Sequence, residues 1–149
     1  MLIAPALLDE LVAHAREEYD AECCGLIAYQ EDGGRAQGDG RAVLVRRAQN
    51  VFAGRQDAGG RDAGRKRFEI DGRELLHAYN DFEQHDLKIG AIYHSHTHTA
   101  PYPSQTDVNF AANWPGLEWV IIGLAGAQPE VRSYLIEGGR VKEVALEVR

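Results

Sequence analysis

Two histidines separated by one residue, His94 and His96, end a run of apolar residues that predicts a strand over 88–96. Side chains two residues apart on a strand point to the same face, so both imidazoles can reach one ion. Asp107 lies eleven residues after His96, in the first turn of a predicted helix. Three ligands of these types leave one tetrahedral position for water, which is typical of a catalytic zinc site. The spacing therefore predicts a hydrolytic metal centre.

A metal-dependent hydrolase also needs a group that moves protons. Glu22 is a candidate because it begins a predicted strand that can reach the same cleft. The spacing also has a simpler explanation, in which the histidine pair is only a polar strand end. Residues 104–107 read Ser-Gln-Thr-Asp, which fits a helix capping box with Ser104 as the N-cap and Asp107 reaching back. On spacing alone both explanations stay open.

Other classes of His-x-His enzyme fit this chain poorly. The barrel hydrolases need roughly 250 residues, and the chain has 149. The metallo-β-lactamase pattern expects Asp-His after the second histidine, where residues 97–99 read Thr-His-Thr. The zinc deaminases need a Pro-Cys-x-x-Cys ligand pair, which the sequence lacks. His98 continues the histidine alternation and offers a three-histidine site, although residues 97–101 favour a loop.

Composition bounds the remaining classes. With 44% apolar and 26% charged residues, residues 1–149 fit one globular domain. The net charge of −7 argues against nucleic-acid binding and against a lipid-surface binder. No apolar run is long enough for a membrane span or a signal peptide, so we expect a cytoplasmic protein. Cys23 and Cys24 are adjacent, which disfavours a disulfide, and Cys24 lacks the activating base that a cysteine nucleophile needs.

The chemistry-bearing residues require elements to hold them, and the apolar periodicity predicts an α/β domain. The predicted helices span 5–19, 71–85 and 104–114, and the predicted strands span 23–29, 42–48, 68–70, 88–96, 119–124, 131–136 and 141–148. A polar turn is expected over 30–40. The second helix is expected to bury a stripe formed by Leu75, Leu76, Tyr79 and Phe82. Residues 53–66 hold four glycines and no apolar residue larger than alanine, so we expect a mobile loop there.

The motif resembles that of a known family. His94-Ser95-His96, seven residues, Ser104, two residues and Asp107, with Glu22 far upstream, is similar to the JAMM (MPN+) metalloprotease motif. The segment 22–27, Glu-Cys-Cys-Gly-Leu-Ile, resembles the Glu-x-Cys-Gly-hydrophobic strand of that family. The chain is most similar to the small bacterial members that act on sulfur-carrier proteins, over nearly its whole length. The segment 53–66 matches no pattern of the family.

The resemblance implies a mixed sheet flanked by helices, of the cytidine-deaminase-like type. It implies that His94, His96 and Asp107 hold Zn²⁺. Glu22 would take a proton from the attacking water and give one to the leaving amine, and Ser104 would donate a hydrogen bond to the oxyanion. Ser95 points away from the histidine pair and is expected to be structural.

These roles imply a zinc peptidase or isopeptidase that cuts after the C-terminal Gly-Gly of a ubiquitin-like or sulfur-carrier protein. Two glycines present a bare extended backbone that can enter a narrow cleft. Two alternatives stay open: a binding scaffold that keeps the metal only for stability, and a hydrolase of short peptides with no protein partner. Exposed strand edges could also pair two copies into a homodimer.

Overall fold

A mixed six-stranded sheet flanked by helices forms the fold, which confirms the predicted α/β class. The computed structural model describes residues 1–30 and 40–149. The predicted turn at 30–40 therefore lies, except for its two end residues, outside the described residues. The elements are β1 (Leu2–Ile3), α1 (Pro5–Glu18), β2 (Cys24–Gln30), β3 (Ala42–Ala48), a 3₁₀ turn (Ala63–Arg65), α2 (Gly72–Gln84), β4 (Leu87–His96), α3 (Gln105–Ala111), β5 (Glu118–Gly123), β6 (Glu130–Glu137), β7 (Arg140–Val144) and β8 (Glu147–Val148).

The pairing of neighbouring strands changes from antiparallel to parallel at β4, the strand that carries the histidine pair. The strand order is β3-β2-β4-β5-β6-β7, and β4 runs antiparallel to β2 but parallel to β5. His94 lies opposite Cys24 on β2 and opposite Ile121 on β5. The connection from β4 to β5 contains α3. Ligand sites in such sheets form outside the carboxyl ends of the strands, where the chain direction changes, and β4 ends at His96.

Each face of the sheet packs a separate apolar core. One core lies under α1 and includes Leu11 and Tyr93. The other lies against α2 and α3 and includes Phe82 and Ile92. Strand alternation places the histidine pair on the same face as Ile92, toward α2 and α3. Ser95 points to the opposite face, where its Oγ accepts a hydrogen bond from the Cys23 N–H at 2.8 Å, consistent with the structural role expected for it.

Several predicted elements differ from the structure. Leu76 and Tyr79 are 60% and 54% exposed. The buried stripe of α2 instead runs through Ala78 and Phe82 with the partly buried Leu75. Apolar periodicity predicts which way the buried face of a helix points but not how wide that face is. The buried face of α2 is narrow. The predicted third helix ends at residue 111, and residues 68–70 form no strand, although the side chains of 68 and 70 are buried.

The chain ends pair with each other, which the sequence analysis did not predict. The expected strand over 141–148 is divided into β7 and β8, and β8 pairs in parallel with β1. The backbone N–H of Glu147 donates to the Met1 carbonyl at 2.9 Å, and that of Arg149 donates to the Ile3 carbonyl at 3.1 Å. The six-stranded sheet thus has β3 and β7 as its edges. Pairing of two copies through such an edge stays a prediction.

The segment 53–66 is held by its own aspartates. The Asp57 carboxylate accepts hydrogen bonds from the backbone N–H of Gly59 and of Arg61, at 2.8 and 3.0 Å. The Asp62 carboxylate accepts from Gly54 and Gly64, at 3.0 and 2.8 Å. These four bonds hold the backbone locally, and the mobility expected from the composition stays a prediction. No helix in the described part of the chain is both long and apolar enough to cross a membrane.

Candidate metal centre

Three ligand atoms from β4 and α3 form a small triangle at the end of β4. The Nε2 atoms of His94 and His96 lie 3.1 Å apart. The Oδ2 atom of Asp107 lies 3.2 Å from the first and 3.3 Å from the second. All three residues are buried. The structure therefore brings together the three residues that the sequence analysis proposed as metal ligands.

The size of this triangle fits a zinc ion. Protein nitrogen and oxygen ligands bind Zn²⁺ at about 2.0–2.2 Å, so two ligands of a tetrahedral site lie roughly 3.3–3.5 Å apart. The observed edges of 3.1–3.3 Å are close to that separation. Glu22 is also near, because one carboxylate oxygen of Glu22 lies within 4.8 Å of a ring nitrogen of each histidine. The tight triangle favours Asp107 as the third ligand and leaves Glu22 beside the centre.

Neighbouring groups orient both imidazoles. His96 Nδ1 lies 2.9 Å from the Ala100 carbonyl oxygen and is placed to donate to it, which directs the Nε2 lone pair toward the triangle. The His94 ring stacks on Phe68, with the ring centroids 4.4 Å apart, and meets Trp119 edge to face. The buried Nδ1 of His94 has no hydrogen-bond partner among the described residues. Aromatic packing therefore holds His94, whereas a backbone hydrogen bond holds His96.

The start of α3 positions the third ligand. Ser104 is the N-cap, and its Oγ accepts a hydrogen bond from the Asp107 N–H at 3.1 Å. The Ser104 N–H donates in return to Asp107 Oδ2 at 2.9 Å. The structure thus contains the capping box, and the same arrangement presents the Asp107 carboxylate to the histidines. A hydroxyl that accepts one hydrogen bond can still donate its own proton, so capping is compatible with the oxyanion role of Ser104.

Burial and the neighbouring charges shift the titration of the centre. Burial opposes ionisation of Asp107, but the two histidines and the Ser104 N–H outweigh it and hold its pKa well below the usual range. Burial lowers the pKa of His94. It also opposes protonation of His96, where hydrogen bonds to Asp107 and Ala100 prevail and raise the pKa. The ionised carboxylate of Asp107 and the neutral imidazole of His94 are in the states that metal binding requires, whereas at His96 a metal ion would have to displace a more tightly held proton.

Glu22 is a buried carboxyl group beside the histidines. Its side chain is buried, and this burial raises its pKa to about 8; the charge of His96 opposes the shift and that of Asp107 adds to it. A carboxyl group whose pKa lies close to neutral pH can both accept and release a proton during a reaction. The location beside the histidines and the raised pKa agree with the role predicted for Glu22 from the sequence.

The backbone of Glu22 is fixed from two sides. Its N–H donates to the Gly64 carbonyl at 2.6 Å, which joins the segment 53–66 to the site. Its carbonyl oxygen accepts from Nδ2 of Asn50 at 3.0 Å. Neither contact was predicted from the sequence. The only available signal was a polar residue, Asn50, directly before the apolar pair Val51-Phe52.

Asn50 uses every hydrogen-bonding position of its amide. Besides the bond to Glu22, Nδ2 donates to the Arg67 carbonyl at 3.0 Å. Its Oδ1 accepts from the backbone N–H of Phe52 at 3.0 Å and of Glu69 at 3.3 Å. The side chain is 6% exposed. One buried amide therefore connects Glu22, two residues before β2, to both ends of the 53–66 segment.

Two other sequence candidates lie apart from this chemistry. His98 is 51% exposed, and its Nε2 lies 2.8 Å from Asp20 Oδ1. Its neighbour Arg65 makes an ion pair with the other oxygen of Asp20 at 2.7 Å. Cys24 is fully buried, and burial raises the pKa of its thiol, so it packs as a small apolar residue. Neither residue belongs to the triangle.

The sequence around this centre matches a known protein family. Residues 4–137 match the family described as prokaryotic homologs of the JAB domain. The chain belongs to this family. The match confirms the resemblance inferred from the motif, and it spans both the α1 layer and the strands around the candidate centre of this JAB-domain protein.

Two named relatives and one solved structure are also similar to this chain. The CysO-cysteine peptidase of Mycobacterium tuberculosis is 30% identical over 149 residues, covering 99% of this chain and 90% of that protein. The desampylase of Pyrococcus furiosus is 33% identical over 82 residues, covering 54% of this chain and 56% of that protein. The solution structure of a protein from Desulfitobacterium hafniense superposes with a TM-score of 0.80 at 29% identity, covering 99% and 92% of the two chains. The names of both relatives describe hydrolases.

Proposed function

We propose that this JAB-domain protein is a zinc-dependent peptidase or isopeptidase. It hydrolyses the bond that follows the C-terminal Gly-Gly of a ubiquitin-like or sulfur-carrier protein. The observation that carries the proposal is the triangle of His94, His96 and Asp107, with edges of 3.1–3.3 Å, beside the buried Glu22. A scaffold that used a metal only for stability would not need a proton-transfer group at the centre.

The residues around the centre have separable roles in this proposal. His94, His96 and Asp107 would hold Zn²⁺, which supplies Lewis-acid activation of water at neutral pH. Glu22 takes the proton of the attacking water as the carbon–oxygen bond forms, and delivers it to the leaving amine as the carbon–nitrogen bond breaks. The Ser104 hydroxyl donates a hydrogen bond to the oxygen on which negative charge develops.

The substrate class rests on the relatives and on general peptide chemistry. One relative is named CysO-cysteine peptidase and the other desampylase. A Gly-Gly tail can lie extended along protein backbone without side chains that would obstruct a narrow approach to the centre. The product would be the free tail carboxylate together with a released amine, either an amino acid such as cysteine or a lysine of another protein.

The test is intact-mass spectrometry of a carrier protein whose Gly-Gly tail is joined to cysteine, incubated with the zinc-loaded enzyme. We expect the loss of the group after the last glycine, and no loss with Glu22→Gln, which keeps the shape of the side chain but cannot accept a proton. Zinc content measured in both proteins ensures that metal binding is equal. Full activity of Glu22→Gln would contradict the role of Glu22, and no cleavage by the zinc-loaded wild type would contradict the substrate class.

The same experiment separates the two alternatives. A short-peptide hydrolase would cut a Gly-Gly peptide as efficiently as the intact carrier conjugate. A metal-stabilised scaffold would cut neither substrate and would lose its fold when zinc is removed. Circular dichroism before and after chelation, recorded beside the mass measurement, distinguishes these outcomes.

A further inference from the structure

A group of exposed cations lies close to the candidate centre. In the described part of the chain, none of these cations makes an ion pair with a carboxylate, whereas Arg46 pairs with one carboxylate and Arg47 and Arg132 pair with two each. We call these four side chains the basic surface: Arg55, Arg61, Lys66 and Arg67. They fall within thirteen residues of a chain that is acidic as a whole.

The acidic residues of the same stretch bind its backbone. Asp57 and Asp62 accept four hydrogen bonds from backbone N–H groups of the segment itself. Neither makes an ion pair with a cation of the described residues, although the exposed Asp57 lies near Arg61 and Lys66 and offsets part of their charge. Residues 53–67 carry five basic and two acidic side chains, a net charge of +3, in a chain whose net charge is −7. The basic surface is therefore a local reversal of the charge of the protein.

The backbone geometry presents two of these cations on one side. Gln56 and Asp62 form a bridge, the Ala63 N–H donates to the Arg55 carbonyl at 2.6 Å, and the Asp57 N–H donates to the Arg61 carbonyl at 2.7 Å. This antiparallel register places Arg55 and Arg61 on the same face, because side chains two residues apart share a face. The same register places Asp57 opposite Arg61 on this face, so one exposed carboxylate accompanies the two arginines. The arginine side chains themselves make none of these backbone hydrogen bonds.

The segment that carries the basic surface contacts residues beside the candidate centre. The Gly64 carbonyl accepts from the Glu22 N–H, and Arg65 pairs with Asp20, two residues before Glu22. The Thr97 hydroxyl, next to the histidine pair, lies 3.5 Å from the Arg65 carbonyl. A partner that contacts the basic surface is thus held directly beside the site where a chain end would be cut.

We propose that the basic surface docks an acidic face of the protein whose tail is cleaved, and this rests on the proposed function. Cations beside the centre steer an acidic partner into the correct orientation and slow its release. Short peptides that lack this face would reach the centre without the benefit. The basic surface would then distinguish a folded carrier from a free Gly-Gly peptide.

The experiment compares the wild type with the double variant Arg55→Gln/Arg61→Gln. Only side-chain charge changes, since both residues hold the segment through backbone carbonyls. The matched control is Arg140→Gln/Lys142→Gln, which removes two exposed cations on β7, at the sheet edge two strands beyond β5. KM and kcat are measured with an acidic Gly-Gly carrier joined to cysteine and with a short Gly-Gly peptide amide, at low and high salt.

For the carrier, we expect the double variant to raise KM about fivefold to tenfold at low salt, with kcat within about twofold of the wild type. The increase should shrink in high salt because screening weakens surface electrostatics. KM for the short peptide and all values for the control should not change. An unchanged KM for the carrier, or an equal increase for the peptide, would overturn the docking role.

A binding arm keeps the result independent of cleavage. Fluorescence anisotropy of the labelled carrier, titrated with Glu22→Gln protein with and without the arginine substitutions, gives Kd directly. If the wild type cuts neither substrate, the proposed function fails, and a Kd that the arginine substitutions weaken still supports docking. Tighter binding of a single-stranded oligonucleotide than of the carrier, lost in the double variant, would assign the basic surface to nucleic acid instead.

Discussion

Replacing Asn50 by alanine tests how the site is anchored. The amide makes four hydrogen bonds at 3.0–3.3 Å, and each such bond contributes about 1 kcal/mol net. The partners are backbone groups that are buried or partly buried, so some would remain without a replacement after the substitution. We expect Asn50→Ala to lower the free energy of unfolding by about 3–5 kcal/mol, a large share of the 5–15 kcal/mol typical of a domain.

The substitution Asn50→Ala should also lower kcat, because Asn50 holds the backbone carbonyl of Glu22 by a hydrogen bond. We expect kcat to fall by about tenfold or more even at temperatures where the variant is folded, since small displacements of a proton-transfer group are costly. Asn50→Asp should be worse for stability at neutral pH. It keeps the two acceptor bonds but removes both donors and faces the Glu22 and Arg67 carbonyl oxygens with a negative charge.

Urea unfolding followed by the fluorescence of the buried Trp119 measures the first effect, and carrier cleavage measures the second. Asn80→Ala is the matched control: Asn80 is exposed on α2, and its loss should change stability by less than about 0.5 kcal/mol. The reasoning is refuted if Asn50→Ala unfolds within about 1 kcal/mol of the wild type, or if it loses stability while kcat stays unchanged.

Three further outcomes are expected. Burial lowers the pKa of His14 to about 4, so the unfolded state binds the extra proton first and stability falls as pH drops from about 6.5 to 4, by up to about 3 kcal/mol; His14→Gln should flatten this part of the pH profile, and equal slopes would contradict it. A Cβ on Gly25 would lie 2.4 Å from the Tyr93 ring and 2.5 Å from the Arg46 carbonyl. Gly25→Ala should therefore cost about 1–3 kcal/mol in urea unfolding, whereas Gly72→Ala, with open space, should cost nothing; equal effects would refute the packing argument. Chelation should abolish hydrolysis and lower the thermal midpoint, with both restored by added zinc, and a midpoint that ignores the chelator would argue against a bound metal.

Short-range periodicity carried part of the prediction of the site. Alternation on a strand predicts that His94 and His96 share one face. That Asp107 lies near them did not follow from the spacing, which left two explanations open, and was implied by the family resemblance. Strand alternation depends on two or three residues at a time. The role of Ser104 as an N-cap follows from the same kind of local rule.

Features that depend on distant partners were not predictable. A two-residue strand such as β1 has no periodicity, and its partner lies at the other end of the chain. Aspartate side chains of residues 53–66 bind backbone N–H groups, and a carbonyl of this segment accepts from Glu22. Neither kind of contact alters an apolar pattern. The exposure of Leu76 shows the same limit, because helix periodicity does not tell how far the neighbouring sheet extends.

A single oxygen, Oδ2 of Asp107, completes the start of α3 and also faces both histidines. A substitution of Asp107 therefore changes both the start of α3 and the set of ligands at the centre. A substitution that silenced the centre by removing this carboxylate would also remove half of the capping box, and would cost about 1 kcal/mol of helix stability. We expect descendants that abandon hydrolysis to retain a capping side chain here, such as asparagine, long after the histidines are lost.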